Sequence, residues 1–318
     1  LASDSESVID ELPAELRGYL RLGNDPKLIP QFLELGIPNL DHILGGGLTV
    51  GQYTLIKGNS KVGKTYLIVQ AFKAAIAKGH DCYLLDLEKS YNPEWYELQG
   101  VDTSKVIVAR PPNGEKACDL LEALIRRNVG MIAVDSLAAV VPGAEIEKNH
   151  AENTVGLAAK LINRMTRELV NEIQDTIVLM VNQYRMGIGV SYGDPRTLPG
   201  GMGQEYFAWT TIQVKRSGWL TEKDQRVGFT MEFYTETNRS AAPFQSAKVP
   251  FKFATGLQIT DALVEMALEF GVIEAKGGGN YYMDGERIAV RGREALVAKL
   301  DEEPAFKEEV TLRVRRGA

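Results

Sequence analysis

Cysteine is almost missing from this chain, and what little there is excludes two architectures. Cys82 stands in a strand-like apolar run and Cys118 in a helix-like one, without the spacing of a thiolate metal site. A disulfide scaffold and a zinc module are ruled out, and both thiols are expected to be buried and reduced. Long apolar runs are also missing: no stretch reaches the roughly 18 residues that a membrane-spanning helix needs. The start of the chain lacks the basic, apolar, small-residue series of an export signal, so a cytoplasmic protein with no membrane partner is expected. Positive charge is short as well. With 36 Lys and Arg against 42 Asp and Glu, the net charge is −6, so any nucleic-acid surface must be local.

The 318 residues exceed one ordinary core and suit a large α/β domain with small appendages. Residues 1–33 hold one amphipathic candidate helix, Val8 to Leu22, which is too small to bury itself and must pack on the body or on a neighbour. From Leu35, buried-strand patterns (Tyr53 to Lys57, Tyr83 to Leu87, Val106 to Ala109, Met131 to Val134, Thr176 to Val181) alternate with helical ones (Lys64 to Lys78, Lys116 to Asn128, Thr154 to Ile173). That order predicts an α/β fold with a mainly parallel central sheet covered on both faces, its ligands at the C-terminal strand ends. Residues 185–204 are glycine-rich without a period and read as a long loop. Thr210 to Arg216 and Gly228 to Tyr234 read as antiparallel strands. Beyond Gly256 the pattern becomes a small α+β unit, with a helix from Ile259 to Phe270, a hairpin at Tyr281 to Gly285 and a helix from Arg293 to Leu300. The expected domains are 1–33, 34–256 and 257–318.

The clearest chemical signal is GNSKVGKT at 58–65, lying between a predicted strand and a predicted helix. Gly58, Asn59, Ser60, Lys61, Val62 and Gly63 would let successive backbone N–H groups curl around phosphate. Lys64 would reach the β and γ phosphates, and the Thr65 hydroxyl would ligate Mg²⁺. ATP and Mg²⁺ are therefore the expected cofactors. Hydrolysis also needs carboxylates, and two stand at strand ends: Asp135, for the metal shell, and Glu88, for orienting water, with Asp86 two residues before it as a competitor. Trp95, next to Tyr96, either lies on the adenine or packs under its loop. Gln183 ends the fifth strand and could pass the presence of the γ-phosphate into the loop that follows.

Several segments carry a resemblance to a family. VDSLAAVVPGAEIE at 134–147, GLAAK at 156–160, VNQYRMGIGV at 181–190, PGG at 199–201, LGGGL at 44–48 and AAPF at 241–244 occur in order, and together they resemble the bacterial RecA recombinases. The resemblance implies a RecA-like P-loop ATPase core that forms helical filaments on single-stranded DNA and exchanges strands with a homologous duplex, alongside loader and single-strand-binding proteins. It implies that Glu88 activates water, Asp135 serves the Mg²⁺ shell, Gln183 senses the γ-phosphate and Trp95 lies against adenine. It also implies that Arg239 reaches the γ-phosphate of a neighbouring subunit. The first DNA loop would fall at 148–155 with Val155, and the second at 184–204 with Arg185, Gly187, Ile188, Gly200 and Gly201, flanked by the basic Lys160 and Arg167. Thr237 stands where the family has lysine, Tyr206 where it has another aromatic at a subunit contact, and Glu205 replaces a basic neighbour. Two other readings share this chemistry: a ring-forming motor that moves along DNA, and a nucleotide-switched mediator of other recombinases.

Overall fold

A computed structural model describes residues 11–147, 156–186 and 196–317. The chain separates into two compact units, the first ending at Gln31 and the second beginning at Phe32. In the first, helix α1 is confined to Ala14–Arg17, and Leu16, Tyr19, Leu20 and Leu22 are exposed. The expected helix from Val8 to Leu22 is therefore corrected over its described part. Pro13, which has no N–H to donate and whose ring crowds the preceding turn, sits at the N-cap and forces a fresh start. Residues 8–10 lie outside the described residues.

The second unit opens with β1 (Phe32–Leu33), α2 (Pro38–Leu44) and β2 (Leu48–Thr49), followed by β3 (Tyr53–Gly58), α3 (Lys64–Ala77) and β4 (Cys82–Asp86). After these come α4 (Pro93–Leu98), β5 (Val106–Ala109), α5 (Gly114–Arg126), β6 (Met131–Asp135), α6 (Gly143–Glu147), α7 (Leu157–Glu172) and β7 (Ile177–Gln183). A short ladder of β8 (Arg185–Met186) and β9 (Arg196–Thr197) precedes α8 (Gly203–Phe207) and the long hairpin of β10 (Thr210–Glu222) and β11 (Gln225–Asn238). β12 (Ser246–Lys252) and β13 (Gly256–Leu257) complete a nine-stranded sheet in the order β13-β12-β11-β10-β3-β7-β6-β4-β5. From β10 to β5 the pairing is parallel; from β10 to β13 it is antiparallel.

Period-two alternation explains why both faces are covered. Leu55, Val178 and Met180 point into one apolar layer with Leu121, Ile125, Ile162, Met165 and Leu169 of α5 and α7. Ile56, Leu179 and Val181, one residue out of phase, point into the other with Leu67, Ile68 and Phe72 of α3. Each such fully buried side chain contributes roughly 1.5–3 kcal/mol relative to exposure. Cys82 and Cys118 are free and buried, one in each layer, and burial pushes both thiols up to about 12.

The C-terminal part holds α9 (Ile259–Glu269), a three-stranded sheet of β14 (Glu274–Lys276), β15 (Asn280–Met283) and β16 (Glu286–Arg291), and helices α10 (Arg293–Glu302) and α11 (Pro304–Gly317). Leu263, Ile273, Leu296, Leu300, Val310 and Val314 form their own apolar cluster there. Asp284 and Gly285 both have positive φ, the backbone that a two-residue hairpin turn requires. The final helix, α11, and the strand β12 extend beyond the sequence reading, because their apolar positions are few and become legible only against the surfaces they cover.

Candidate functional site

β3 runs from Tyr53 to Gly58 in the interior of the sheet, and its last residue opens the glycine-rich loop. A Cβ at Gly58 would come within 2.4 Å of the Val214 carbonyl oxygen, so only glycine lets the loop leave the sheet there. At the other end Gly63, with φ of +95°, caps α3, and a Cβ there would meet Met231 Cε at 2.5 Å. Between the two, Lys64 folds back so that its ammonium donates to the carbonyls of Gly58 and Asn59, at 3.2 and 2.6 Å. Lys64 is buried, and that burial lowers its pKa despite the nearby charges of Asp135 and Glu88.

Thr65, in the first turn of α3, donates its hydroxyl proton to Asp135 Oδ2 at 2.9 Å. Asp135 ends β6, which lies between β7 and β4 in the sheet. Burial raises its pKa to about 6, the Thr65 bond and Lys64 opposing the rise and Glu88 adding to it. A buried carboxylate paired with a hydroxyl is a donor set suited to Mg²⁺ that keeps water and phosphate oxygens as its other ligands. Among the described residues there is no cluster of three or more His, Cys, Asp or Glu that would form an all-protein metal cage.

The two carboxylates of the β4 exit part company. Asp86 is buried and accepts from the Ser90 and Tyr91 N–H groups, at 2.8 and 3.2 Å, and from Arg110 Nε at 2.9 Å, so its charge is consumed in holding the turn. Glu88 is exposed and accepts from Gln183 Nε2 at 2.7 Å and from the Ser136 hydroxyl. Gln183 in turn accepts from Ser60 Oγ at 2.8 Å. The ends of three parallel strands and the glycine-rich loop are thereby joined through one amide. Ser136 was not singled out from the sequence, although its place directly after Asp135 was a signal.

Trp95 is half-buried and edge-on to Tyr66 of α3 at 6.1 Å and to Tyr96 at 5.3 Å, whereas Tyr96 is fully inside the core. Arg239 is not brought to this chain's own loop. Its backbone N–H bonds to the Trp209 carbonyl, and Trp209 bonds in turn to Tyr53 at the start of β3. Six strand residues at about 3.3 Å each place it roughly 17–20 Å from the glycine-rich loop. Its guanidinium is exposed and donates to the Tyr206 carbonyl at 3.1 Å.

Arg185 donates to the Ala138 carbonyl at 3.3 Å, which ties the start of the 184–204 segment to the turn after β6. Gly200 and Gly201 have φ of +94° and +72° and lie against α7, where a Cβ on Gly201 would touch Ala159, the neighbour of Lys160. Arg167 lies two turns further along α7, exposed like Lys160. Val155, Gly187 and Ile188, with the whole of the 148–155 stretch, lie outside the described residues. No helix among the described residues is long and apolar enough to cross a membrane. The family model of the RecA N-terminal domain matches residues 17–258.

Proposed function

Because the chain belongs to the RecA family, we propose that it is an ATP-dependent DNA recombinase, forming helical filaments on single-stranded DNA and exchanging strands with a homologous duplex. The observation that supports this best is the hydrogen-bond series from Ser60 through Gln183 to Glu88, which joins the phosphate loop to the strand end where the 184–204 segment begins.

Lys64 and the loop amides would hold the triphosphate, and Thr65 with Asp135 would hold Mg²⁺, which would supply charge neutralisation on the phosphate oxygens when bound. Glu88, exposed and held by Ser136, accepts the proton of the attacking water. A γ-phosphate oxygen competes for the Gln183 Nε2 hydrogen that Glu88 accepts, so nucleotide charge both releases Glu88 and pulls on the end of β7. Trp95 offers its ring to adenine above the first turn of α3, a role supported by its partial exposure beside Tyr66. Arg239 is too far from its own loop and serves the nucleotide of a neighbouring subunit; Thr237 adds no second charge.

Lys160, Arg167, Arg185 and the backbone at Gly200 and Gly201 contact DNA phosphates, with Val155, Gly187 and Ile188 contributing from their loops and Ile188 wedging between bases. Base pairing supplies sequence recognition, so a chain of net negative charge suffices. Residues 34–256 act as the ATPase core, 1–33 as an assembly arm and 257–318 as a C-terminal domain.

Electron microscopy with single-stranded DNA and a slowly hydrolysed ATP analogue tests this reading. Long helical filaments are expected; closed rings would mean a motor, and no ordered polymer a mediator. Identical DNA affinity with and without the analogue would overturn the Gln183 relay. Replacing Ile188 by Gly should reduce strand exchange at least tenfold more than it reduces ATP binding.

A further inference from the structure

Lys57 is the last residue before the phosphate loop, and its side chain is only 7% exposed although it is the one charged residue of a buried strand. It continues the row of Tyr53 and Leu55, on the sheet face that α8 covers. Its ammonium donates to Glu205 of α8 and stands 2.5 Å from Glu236 of β11. Burial opposes its charge, but the hydrogen bonds to the two carboxylates outweigh that and raise its pKa.

Both carboxylates are placed by specific backbone features. In the β10–β11 ladder Thr211 faces Thr237 and Ile212 faces Thr235, so Glu236 is the extra residue of a β-bulge, a distortion that re-aims a side chain. α8 is bolted to the sheet next to Lys57: Tyr53 donates its hydroxyl to the Gln204 carbonyl, and Asn182, the register partner of Lys57, donates to the Gln204 side chain at 2.6 Å. The residue after Glu205 is the exposed Tyr206, and three residues after Glu236 comes Arg239, which bonds to Tyr206. One ammonium therefore ties the phosphate-loop strand to both segments that carry the candidate neighbour-facing groups.

The triad also has room to change. A cavity of about 340 Å³ opens beside it, bounded by Tyr184, Leu198 and Gln213. The Tyr184 ring lies 5.9 Å from the Lys57 ammonium, its hydroxyl accepts from Gln213, and its backbone N–H bonds to the Gly58 carbonyl. Tyr184 directly follows Gln183, so a displacement at the nucleotide moves the ring beside Lys57 and changes how the ammonium is shared between its two anions.

We propose that the Lys57–Glu205–Glu236 triad is a positioning device that couples the nucleotide loop to the neighbour-facing segments at Tyr206 and Arg239, so that a subunit assembles productively only when nucleotide is bound. This rests on the reading of the chain as a nucleotide-dependent polymer. It assigns to Glu205 an internal role at a position where the resemblance implies a basic side chain facing a neighbour.

The test uses Glu205→Gln and Glu236→Gln, which keep shape and remove charge, and the swapped pair Lys57→Glu with Glu205→Lys, all in the full chain. Affinity for a fluorescent ATP analogue is measured on dilute protein, and nucleotide-dependent assembly by light scattering. Each single variant is expected to bind the analogue within about twofold of the parent but to need about tenfold more protein to assemble, and the swap to recover most of that loss. Normal assembly by both glutamine variants overturns the proposal, as does an equal loss of binding and assembly. So does a swapped pair that melts like the parent yet assembles no better than the single variants. If the parent chain itself fails to assemble with nucleotide, the polymer reading falls and the coupling with it; a parent that assembles alongside unimpaired glutamine variants brings down the triad alone.

Discussion

At the scale of the residue, two carboxylates separated by a single leucine do different work because one is saturated and the other is not. Asp86 has two backbone N–H groups and Arg110, while Glu88 shares an amide with the phosphate loop. Glu88→Gln should leave nucleotide affinity intact and lower turnover by about 100- to 10,000-fold, read as phosphate release in a single turnover. Asp86→Asn should instead cost ~1–3 kcal/mol of stability, measured by urea denaturation. Asp41 offers a pH test away from the site. It accepts from the Leu35 and Ile37 N–H groups, at 2.8 and 3.1 Å, but burial pushes its pKa from 3.8 up to about 7. A raised carboxyl pKa means that the folded state holds the proton longer. The stability it contributes is complete below pH 4 and is lost as pH rises towards 7, at most about 4 kcal/mol in all. Asp41→Asn should flatten that slope, seen in urea midpoints at pH 5 and pH 8.

At the scale of the element, the strand–loop–helix unit of β3 and α3 depends on backbone that only glycine supplies without strain. Gly63→Ala would place a methyl 2.5 Å from Met231 Cε at a φ that side-chain-bearing residues avoid. A loss of roughly 1–3 kcal/mol in stability is expected, with a larger relative loss of nucleotide affinity, by calorimetry and titration of the same sample. Met231 belongs to β11, so this contact also ties the helix start to the long hairpin. Equal affinity in the alanine variant would mean that the loop does not need this cap.

At the scale of the whole molecule, the distance between Arg239 and its own phosphate loop means that the proposed reading makes catalysis a property of pairs of subunits. Lys64→Ala should lower nucleotide affinity on the order of 100-fold, and Arg239→Ala should bind nucleotide yet turn over slowly. Mixed in equal amounts, the two inactive variants should regain activity, because about a quarter of randomly formed head-to-tail interfaces would join an intact loop to an intact Arg239. Activity that stays at the sum of the separate variants would place Arg239 outside the reaction.

What the sequence determined by itself was whatever is local along the chain: the phosphate loop with its flanking strand and helix, the strand ends that carry Asp135, Glu88 and Gln183, and the alternation that demanded a sheet with two covered faces. Each of these is set by neighbours a few positions away, so period and spacing reveal it. Tertiary structure alone decided which of Asp86 and Glu88 is spent on a turn, that Ser136 steadies Glu88, and that Lys57 meets carboxylates 148 and 179 positions further on. Pattern reading marked Lys57 only as the end of an apolar strand, and it missed α11 and β12, because those features depend on which surfaces come into contact once the chain is folded. A buried charge draws its meaning from the partner that desolvates with it, and that partner is chosen by sheet order, a bulge and a helix docking, none of which has a period along the chain.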